Sequence, residues 1–313
     1  MVGFGDDGKL PHQPDRQNLM DHTALFCLID DFCITFEPVY HHWLKTQGQV
    51  RRIRPSKLTL SEILFIALLF PQSHMTSFKH FYQAMTTHWD KTLFRHWLSY
   101  PQINALIHQH QMALASFCVF IQQQAQPTGV YAIDSTALRV CHNLRIPRHK
   151  TFADKAARGK TSTGWFYGFK LHTLINQLGE VVALRISPGN VDDRQMVGVL
   201  VESLPRPHDD GELRLVADRG YISGALCLRL LDQGIELLTR SRSNMKPVVL
   251  GDEQAHWIRQ RGRIETVFSV MKGHMGLEHS RHRSFKGFIS HVLAVVTAYA
   301  FRTNKPSMSP WKA

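Results

Sequence analysis

The sequence predicts an α/β protein in which an all-helical N-terminal region precedes a mixed sheet flanked by helices. Residues 20–125 carry apolar residues at helical spacing. From Val130 onward, short apolar runs rich in β-branched and aromatic residues indicate strands. The first of these runs form a strand and a hairpin, and the later ones alternate with helical segments. That order is typical of an α/β domain with a mixed sheet.

The helical region is clearest at the run LTLSEILFIALLF, for which Thr59 and Ser61 are both candidate N-caps. The composition changes at Gln126–Gly129, and this change predicts a helical domain over 20–125 and a second domain over 126–305. Residues 1–19 are rich in Gly, Pro and Asp and have no pattern, so we expect a disordered leader there. Residues 306–313 are expected to form a tail.

Two predicted strands end in an acidic residue. VYAIDST predicts a short strand that ends at Asp134, and ELRLVADRGY predicts a second that ends at Asp218. Between them, Gly164–Asn176 and Gly179–Ser187 predict a hairpin that turns at 177–179. Helices near 197–204 and 225–233 and a strand over 235–240 complete the pattern. Sites form at the carboxyl ends of strands in such sheets, which makes both aspartates candidates.

A third carboxylate lies on a predicted helix over 260–272. At about 100° per residue, Arg261, Glu265 and Lys272 share one helix face, so a carboxylate stands between two cations. The alternative is an ordinary solvated face with an i,i+4 ion pair. Each aspartate could likewise cap a turn.

The charge of the chain indicates an anionic polymer as partner. It has 37 Lys and Arg against 25 Asp and Glu, a formal net charge of +12, and such a balance most often means nucleic acid. Residues 139–160 hold seven basic residues and one acidic residue. Five scattered cysteines fit a reducing compartment. The longest apolar runs are too short to span a bilayer, so we expect an intracellular protein without a membrane partner.

In a basic protein without other catalytic signals, the three carboxylates together predict a metal site. Carboxylate oxygens suit Mg²⁺ or Mn²⁺, and two such ions about 4 Å apart can cleave a phosphodiester. Asp192 and Asp193 could compete for this role. Because their loop leads directly into a predicted helix, we interpret them as residues of its N-terminus.

The motifs around these acids resemble those of the DDE transposases of bacterial insertion sequences. They are DST at 134–136, ADRGY at 217–221, and the spacing of Arg261, Glu265 and Lys272. WFYGFKLH (165–172) and PGNVDDR (188–194) match the same family, and the resemblance runs over about 20–305. It implies a ribonuclease-H-like core with two Mg²⁺ or Mn²⁺ ions held by Asp134, Asp218 and Glu265. It also implies metal-dependent cleavage at transposon ends and strand transfer of the 3′-hydroxyl into target DNA.

The same resemblance implies how the protein meets DNA. Its partners would be the terminal inverted repeats and target DNA, bound by a homo-oligomer, a dimer on paired ends, in the cytoplasm at the nucleoid. The helical domain over 20–125 would bind the DNA ends, and Arg261 and Lys272 would contact phosphates. Further DNA-contact candidates come from the predicted strand near the site and from the basic run: Lys170, Arg148, Lys150 and Arg158.

One position departs from the family pattern, because many relatives have a tyrosine three residues before the arginine and this chain has Ile258. Two other functions stay open. The chain could be a structure-selective nuclease of the same fold without strand transfer, or a non-catalytic DNA-binding protein descended from such an enzyme.

Overall fold

The computed structural model of the 313-residue chain describes residues 21–48, 51, 52, 56–88, 94, 96–204, 213–241, 245, 249–278 and 282–311. The predicted leader over 1–19 lies outside the described residues, as do the last two residues of the predicted tail.

The part of the chain described before the first strand is helical, as predicted. Its helices are α1 (His22–Thr46), α2 (Leu60–Gln72), α3 (Phe78–His88), α4 (Tyr100–Gln109) and α5 (Gln111–Gln123). Of the two candidate N-caps for α2, Thr59 is the correct one. Its hydroxyl accepts a hydrogen bond from the Glu62 N–H at 3.1 Å, and the Glu62 carboxylate accepts one from the Thr59 N–H at 2.7 Å. This reciprocal capping box fixes the start of the helix.

The sheet is mixed, as predicted. Its strands are β1 (Val130–Cys141), β2 (Ala157–Thr161), β3 (Gly164–Asn176), β4 (Val181–Pro188), β5 (Leu213–Val216) and β6 (Ile235–Leu238). Strand β3 runs antiparallel to β1; on its other side its first five residues pair with β2 and the following ones with β4. Strands β1, β5 and β6 are parallel neighbours. The predicted hairpin is therefore β3–β4.

Helices cover both faces of the sheet. They are α6 (Asp193–Val201), α7 (Gly224–Leu231), α8 (Asp252–Gln260), α9 (Arg263–Gly273) and α10 (Phe285–Ala300). Side chains alternate between faces along a strand, and β1 shows this directly. Tyr131 and Ile133 pack with α6 and α7, whereas Ala132 packs in the cluster that contains α8, α9 and α10.

The N-terminal helices share a hydrophobic core with the face of the sheet that α8, α9 and α10 cover. One cluster of buried residues includes Leu25 of α1, Phe117 of α5, Ala132 of β1 and Val295 of α10. Helix α10 packs on α2 and α5 and also on α9. The domain boundary near residue 125 stays a prediction, but the helices before it are held against the sheet. No helix among the described residues is long and apolar enough to cross a membrane.

Several secondary-structure predictions differ from the fold; one difference is that β5 ends at Val216, two residues before Asp218. Strand β1 does not end at Asp134 but continues to Cys141, because its second half pairs with β3. Strand β2 was not predicted, since ARGKT is a polar edge strand without apolar alternation. The predicted helix over 260–272 is two helices, with α8 ending at Gln260 and α9 beginning at Arg263 around Gly262. Glycine is a poor helix residue, which explains a break at that point.

Candidate active site

Two predicted acids lie side by side at the carboxyl edge of the parallel strands. The last parallel pair between β1 and β5 joins Ala132 to Val216. Asp134 and Asp218 each follow two residues later. Strand register therefore brings the two aspartates, 84 residues apart in sequence, to the same level of the sheet, where neighbouring strands are about 4.8 Å apart.

The third acid reaches the site from α9. Asp134 points to the same face as Ala132, which is the face on which α9 packs. Ile264 and Val267 are buried in that contact, and Glu265 stands at its rim in the first turn of the helix. Burial of the apolar stripe of α9 thus places the Glu265 carboxylate beside β1.

Arg261, between α8 and α9, joins two of the three carboxylates. Its guanidinium donates to Asp134 Oδ2 at 3.3 Å and to Glu265 Oε1 at 2.5 Å. The i,i+4 pair of the alternative interpretation is therefore present, and the same guanidinium also binds the strand aspartate. The three acids and Arg261 form one cluster.

The electrostatics of the cluster centre on Asp134, whose side chain is only 20% exposed. Burial raises its pKa to about 6, and the charges of Asp218 and Glu265 push in the same direction. The Ser135 N–H, which donates to Asp134 Oδ1 at 2.8 Å, and Arg261 oppose the rise. Asp134 therefore lies close enough to Asp218 and Glu265 for their charges to add to the effect of burial.

The donor set fits a hard divalent cation. Neighbouring carboxylates repel one another, and a divalent ion that all three coordinate offsets this repulsion. As the side chains stand, no group of three or more His, Cys, Asp or Glu residues in the described parts of the chain is arranged to hold a metal. Arg261 is bound to two of the carboxylates, so metal binding requires the guanidinium to move from Asp134 or Glu265.

Lys272 also points to β1. Its ammonium donates to the Ala137 carbonyl at 2.7 Å and to Glu278 Oε2 at 2.9 Å. Arg139, two residues further along the strand, contacts Glu278 Oε1 at 3.4 Å. Arg261 and Lys272 both face β1, but they do not share one helix as predicted, because Arg261 precedes α9. Sequence reasoning missed Glu278, and no motif in the sequence singles it out.

Tyr221 was part of the ADRGY motif but was not predicted as a site residue. Its hydroxyl is buried and has no hydrogen-bond partner in the structure. Burial raises its pKa, and the charges of Asp134, Asp193 and Asp218 act in the same direction. The phenol therefore lies within the field of the acidic cluster.

Lys170 lies on β3 beside Ala137 of β1, and its ammonium is engaged within the protein. Its ammonium donates to Asp193 Oδ1 at 2.9 Å and to the Val191 carbonyl at 3.0 Å, and its side chain is only 13% exposed. Asp192 caps α6, as predicted, by accepting from the Arg194 N–H at 3.0 Å. Lys170 thus holds the start of α6 against β3, and a phosphate could reach it only after this contact opens.

The basic run reaches the surface. Arg148 ends a 3-10 turn, Lys150 follows it, and Arg158 lies on the edge strand β2; all three are exposed. The ion pairs found within the described chain involve none of them. These three cations are therefore available to a polyanion.

The aromatic residues of β3 divide into two groups. Phe166, Tyr167 and Phe169 are buried. Trp165 is 62% exposed and has Lys160 Nζ 5.8 Å from its ring centroid.

At the position where the family often has tyrosine, Ile258 is buried. The neighbouring Trp257 is buried as well and donates from Nε1 to Glu253 Oε1 at 3.2 Å. Both side chains belong to the hydrophobic core.

Comparison with known proteins finds a matching family and similar folds. A family model described as "Transposase DDE domain" matches residues 124–285, the segment that carries all three acids. No curated protein matches the chain. Among solved structures, the piggyBac transposase in a synaptic complex with hairpin DNA is 12% identical, with 92% of this chain and 75% of that chain covered and a TM-score of 0.50.

The catalytic domain of the Mos1 mariner transposase is 13% identical over 64% of this chain and 93% of that chain, with a TM-score of 0.26. The Mos1 paired-end complex with Mn is 14% identical over 87% and 94%, also with a TM-score of 0.26. The likeness to piggyBac bears on the fold and confirms the predicted class, a ribonuclease-H-like mixed sheet flanked by helices.

Proposed function

Because the chain belongs to the transposase DDE domain family, we propose that it cuts DNA at the ends of a mobile element and joins the freed 3′-hydroxyl to target DNA. The observation that carries this proposal is the register of β1 and β5, which sets Asp134 beside Asp218 on the face reached by Glu265. A bacterial insertion sequence as the source of the element is part of the proposal.

Asp134, Asp218 and Glu265 would hold the divalent ions, Mg²⁺ or Mn²⁺ in a pair. Bound there, the metal supplies activation of water and stabilisation of the leaving oxygen in phosphodiester cleavage. The packing of α9 on β1 keeps Glu265 in place while Arg261 moves. Strand register fixes the backbone positions of the two aspartates in the same way. Metal binding would therefore require side-chain movements only.

The cations along β1 would place the DNA. Arg261 precedes α9 and Lys272 lies in its last turn, and both face the strand that carries Asp134, which suits them to bind phosphates beside the reacting bond. Arg148, Lys150 and Arg158 would extend this contact along the duplex. The piggyBac structure is a synaptic complex with DNA, and a homodimer on paired ends is the corresponding proposal for this chain.

The test uses a plasmid that carries the DNA flanking this coding sequence on both sides, because the element's ends lie there. We expect Mg²⁺-dependent cleavage at those ends and joining of the 3′-ends to a second plasmid. Asp134→Asn, Asp218→Asn and Glu265→Gln should each abolish both reactions and leave duplex binding intact. Asp232→Asn, which removes one exposed carboxylate at the end of α7, is the matched control and should react as wild type.

Near-normal activity in any of the three variants would remove that residue from the site. Cleavage without joining would reduce the function to that of a nuclease. Duplex binding with neither reaction in the wild-type protein would leave a non-catalytic DNA-binding protein.

A further inference from the structure

Beside the acidic cluster, Glu278 binds two cations at once. Its Oε2 lies 2.9 Å from Lys272 Nζ, and its Oε1 lies 3.4 Å from a guanidinium nitrogen of Arg139. The carboxylate follows α9 in the chain and lies opposite β1. It is one anion with two oxygens, each directed at a different cation.

A phosphodiester has the same charge and also offers two free oxygens, so it can replace this carboxylate contact for contact. Lys272 has three N–H donors, of which the Ala137 carbonyl and Glu278 occupy two. The Ala137 contact fixes the ammonium whether or not Glu278 stays. The ammonium of Lys272 would therefore stay in place when a phosphate replaces the Glu278 carboxylate.

The location suits a phosphate near the reacting bond. Ala137 lies three residues from Asp134 on the same strand, about 10 Å at about 3.3 Å per residue. Arg139 and Glu278 also line a cavity of about 1150 Å³ between the N-terminal helices and the sheet. Their ion pair is therefore open to solvent on the side of that cavity.

We propose that Glu278 is an internal counter-anion that holds Lys272 and Arg139 in the DNA-free protein and yields them to a DNA phosphate. The proposal rests on the proposed function in that the incoming anion is DNA. Glu278 would compete with DNA for two cations, whereas the three acids of the site would support the reaction by holding metal ions. Loss of Glu278 should strengthen DNA binding, whereas loss of a merely structural contact should weaken it or leave it unchanged.

The test compares Glu278→Gln with Glu202→Gln in the full chain. Glu202 is exposed at the end of α6, on the opposite face of the sheet, so its change alters the net charge equally and releases neither Lys272 nor Arg139. Binding to a 30-base-pair duplex labelled with a fluorophore is measured by anisotropy at about 50 to 200 mM salt. We expect Glu278→Gln to bind about three- to ten-fold more tightly than Glu202→Gln at the lowest salt, a gain in line with partly exposed ion pairs.

The gain must depend on the released cations. In a background of Arg139→Ala with Lys272→Ala, Glu278→Gln should bind no more tightly than Glu202→Gln in the same background. A gain that persists there would overturn the proposal, as would an unchanged or weakened affinity of Glu278→Gln. If the glutamine variant does not fold, Glu278→Asp replaces it, and its shorter side chain should give a smaller gain; no gain would again overturn the proposal.

Failure of the proposed function gives a different result. In that case the wild-type protein itself shows no Mg²⁺-dependent cleavage, whether or not it binds duplex DNA. Wild-type binding and cleavage together with an unaltered Glu278→Gln would reject only the role of Glu278.

Discussion

Asp134→Asn should stabilise the protein in the absence of divalent metal while it abolishes activity. The side chain is 20% exposed, and its pKa is raised from 3.8 to about 6. An acid whose pKa is raised by folding is most favourable to the folded state below pH 3.8, and this contribution is lost as the pH rises through 6. At neutral pH the ionised carboxylate therefore costs about 3 kcal/mol, at about 1.36 kcal/mol for each pKa unit.

Asparagine removes the buried charge and keeps the size of the side chain and an acceptor for the Ser135 N–H. We expect a net gain of about 1–3 kcal/mol, or a few degrees in melting temperature for a chain of this size. The assay is thermal unfolding at pH 7.5 in EDTA, with Asp232→Asn as the control that removes an exposed charge. The same melts are then repeated in Mg²⁺.

Addition of Mg²⁺ should narrow or reverse this difference in stability. An ion at 100 times its dissociation constant stabilises the folded wild-type protein by about 2.7 kcal/mol, and the asparagine variant should lose most of this response. Two results would refute the reasoning. One is a variant that melts at or below the wild-type temperature in EDTA; the other is a variant that Mg²⁺ stabilises as much as wild type.

Three further changes test other parts of the fold. Lys272→Ala removes a cation that is 24% exposed and has two internal partners, so it should cost about 1–3 kcal/mol of stability in urea unfolding and at least ten-fold in end cleavage. Replacing Arg148, Lys150 and Arg158 together by Ala should reduce the slope of log K against log salt by as much as about 2.7. Burial lowers the pKa of His282 to about 3. Between pH 6.5 and about pH 3, His282 is therefore protonated in the unfolded chain and neutral in the folded protein. The stabilisation that neutral His282 contributes is complete above pH 6.5 and is lost as the pH falls. In His282→Gln, the free energy of unfolding should therefore fall less steeply on acidification, by about 1.4 kcal/mol per pH unit.

Each of these has a result that contradicts it. Wild-type cleavage rates in Lys272→Ala at saturating DNA would remove that lysine from the DNA interface. An unchanged salt slope in the triple variant would assign its three cations to an ordinary solvated surface. Parallel pH profiles of stability for wild type and His282→Gln would show that the folded state accepts the proton. Arg51→Ala, which removes an exposed cation far from the run in sequence, is the control for the salt series.

The sequence predicted the parts of the fold that depend on local signals. The capping box at Thr59 and the turn at 177–179 are encoded within a few residues, and both are present. The end of β1 was misplaced because Asp-Ser-Thr is typical of a turn when read alone. In the fold, residues 134–136 stay extended because they pair with β3, which lies more than 30 residues further along the sequence.

Motif spacing led us to expect Asp134, Asp218 and Glu265 at one site, but it did not show how they are connected. That Arg261 binds two of them emerged only from the structure. Lys170 was predicted to face DNA because its strand lies near the site, yet it contacts Asp193, whose position depends on how α6 packs. Such contacts are set by tertiary packing, which local sequence patterns do not encode.

In the proposed site, the ion pairs of Arg261 would link metal binding to DNA binding. Arg261 is held by Asp134 and Glu265, the carboxylates that would coordinate the metal, so metal binding would release its guanidinium toward a phosphate. A metal ion that frees a DNA-binding cation must tighten DNA binding, and by thermodynamic reciprocity DNA must tighten metal binding by the same factor. Titration of Mg²⁺ with and without duplex, followed by thermal stability, should show this coupling in wild type. It should shrink in Arg261→Gln, because that side chain carries no charge for the metal to release.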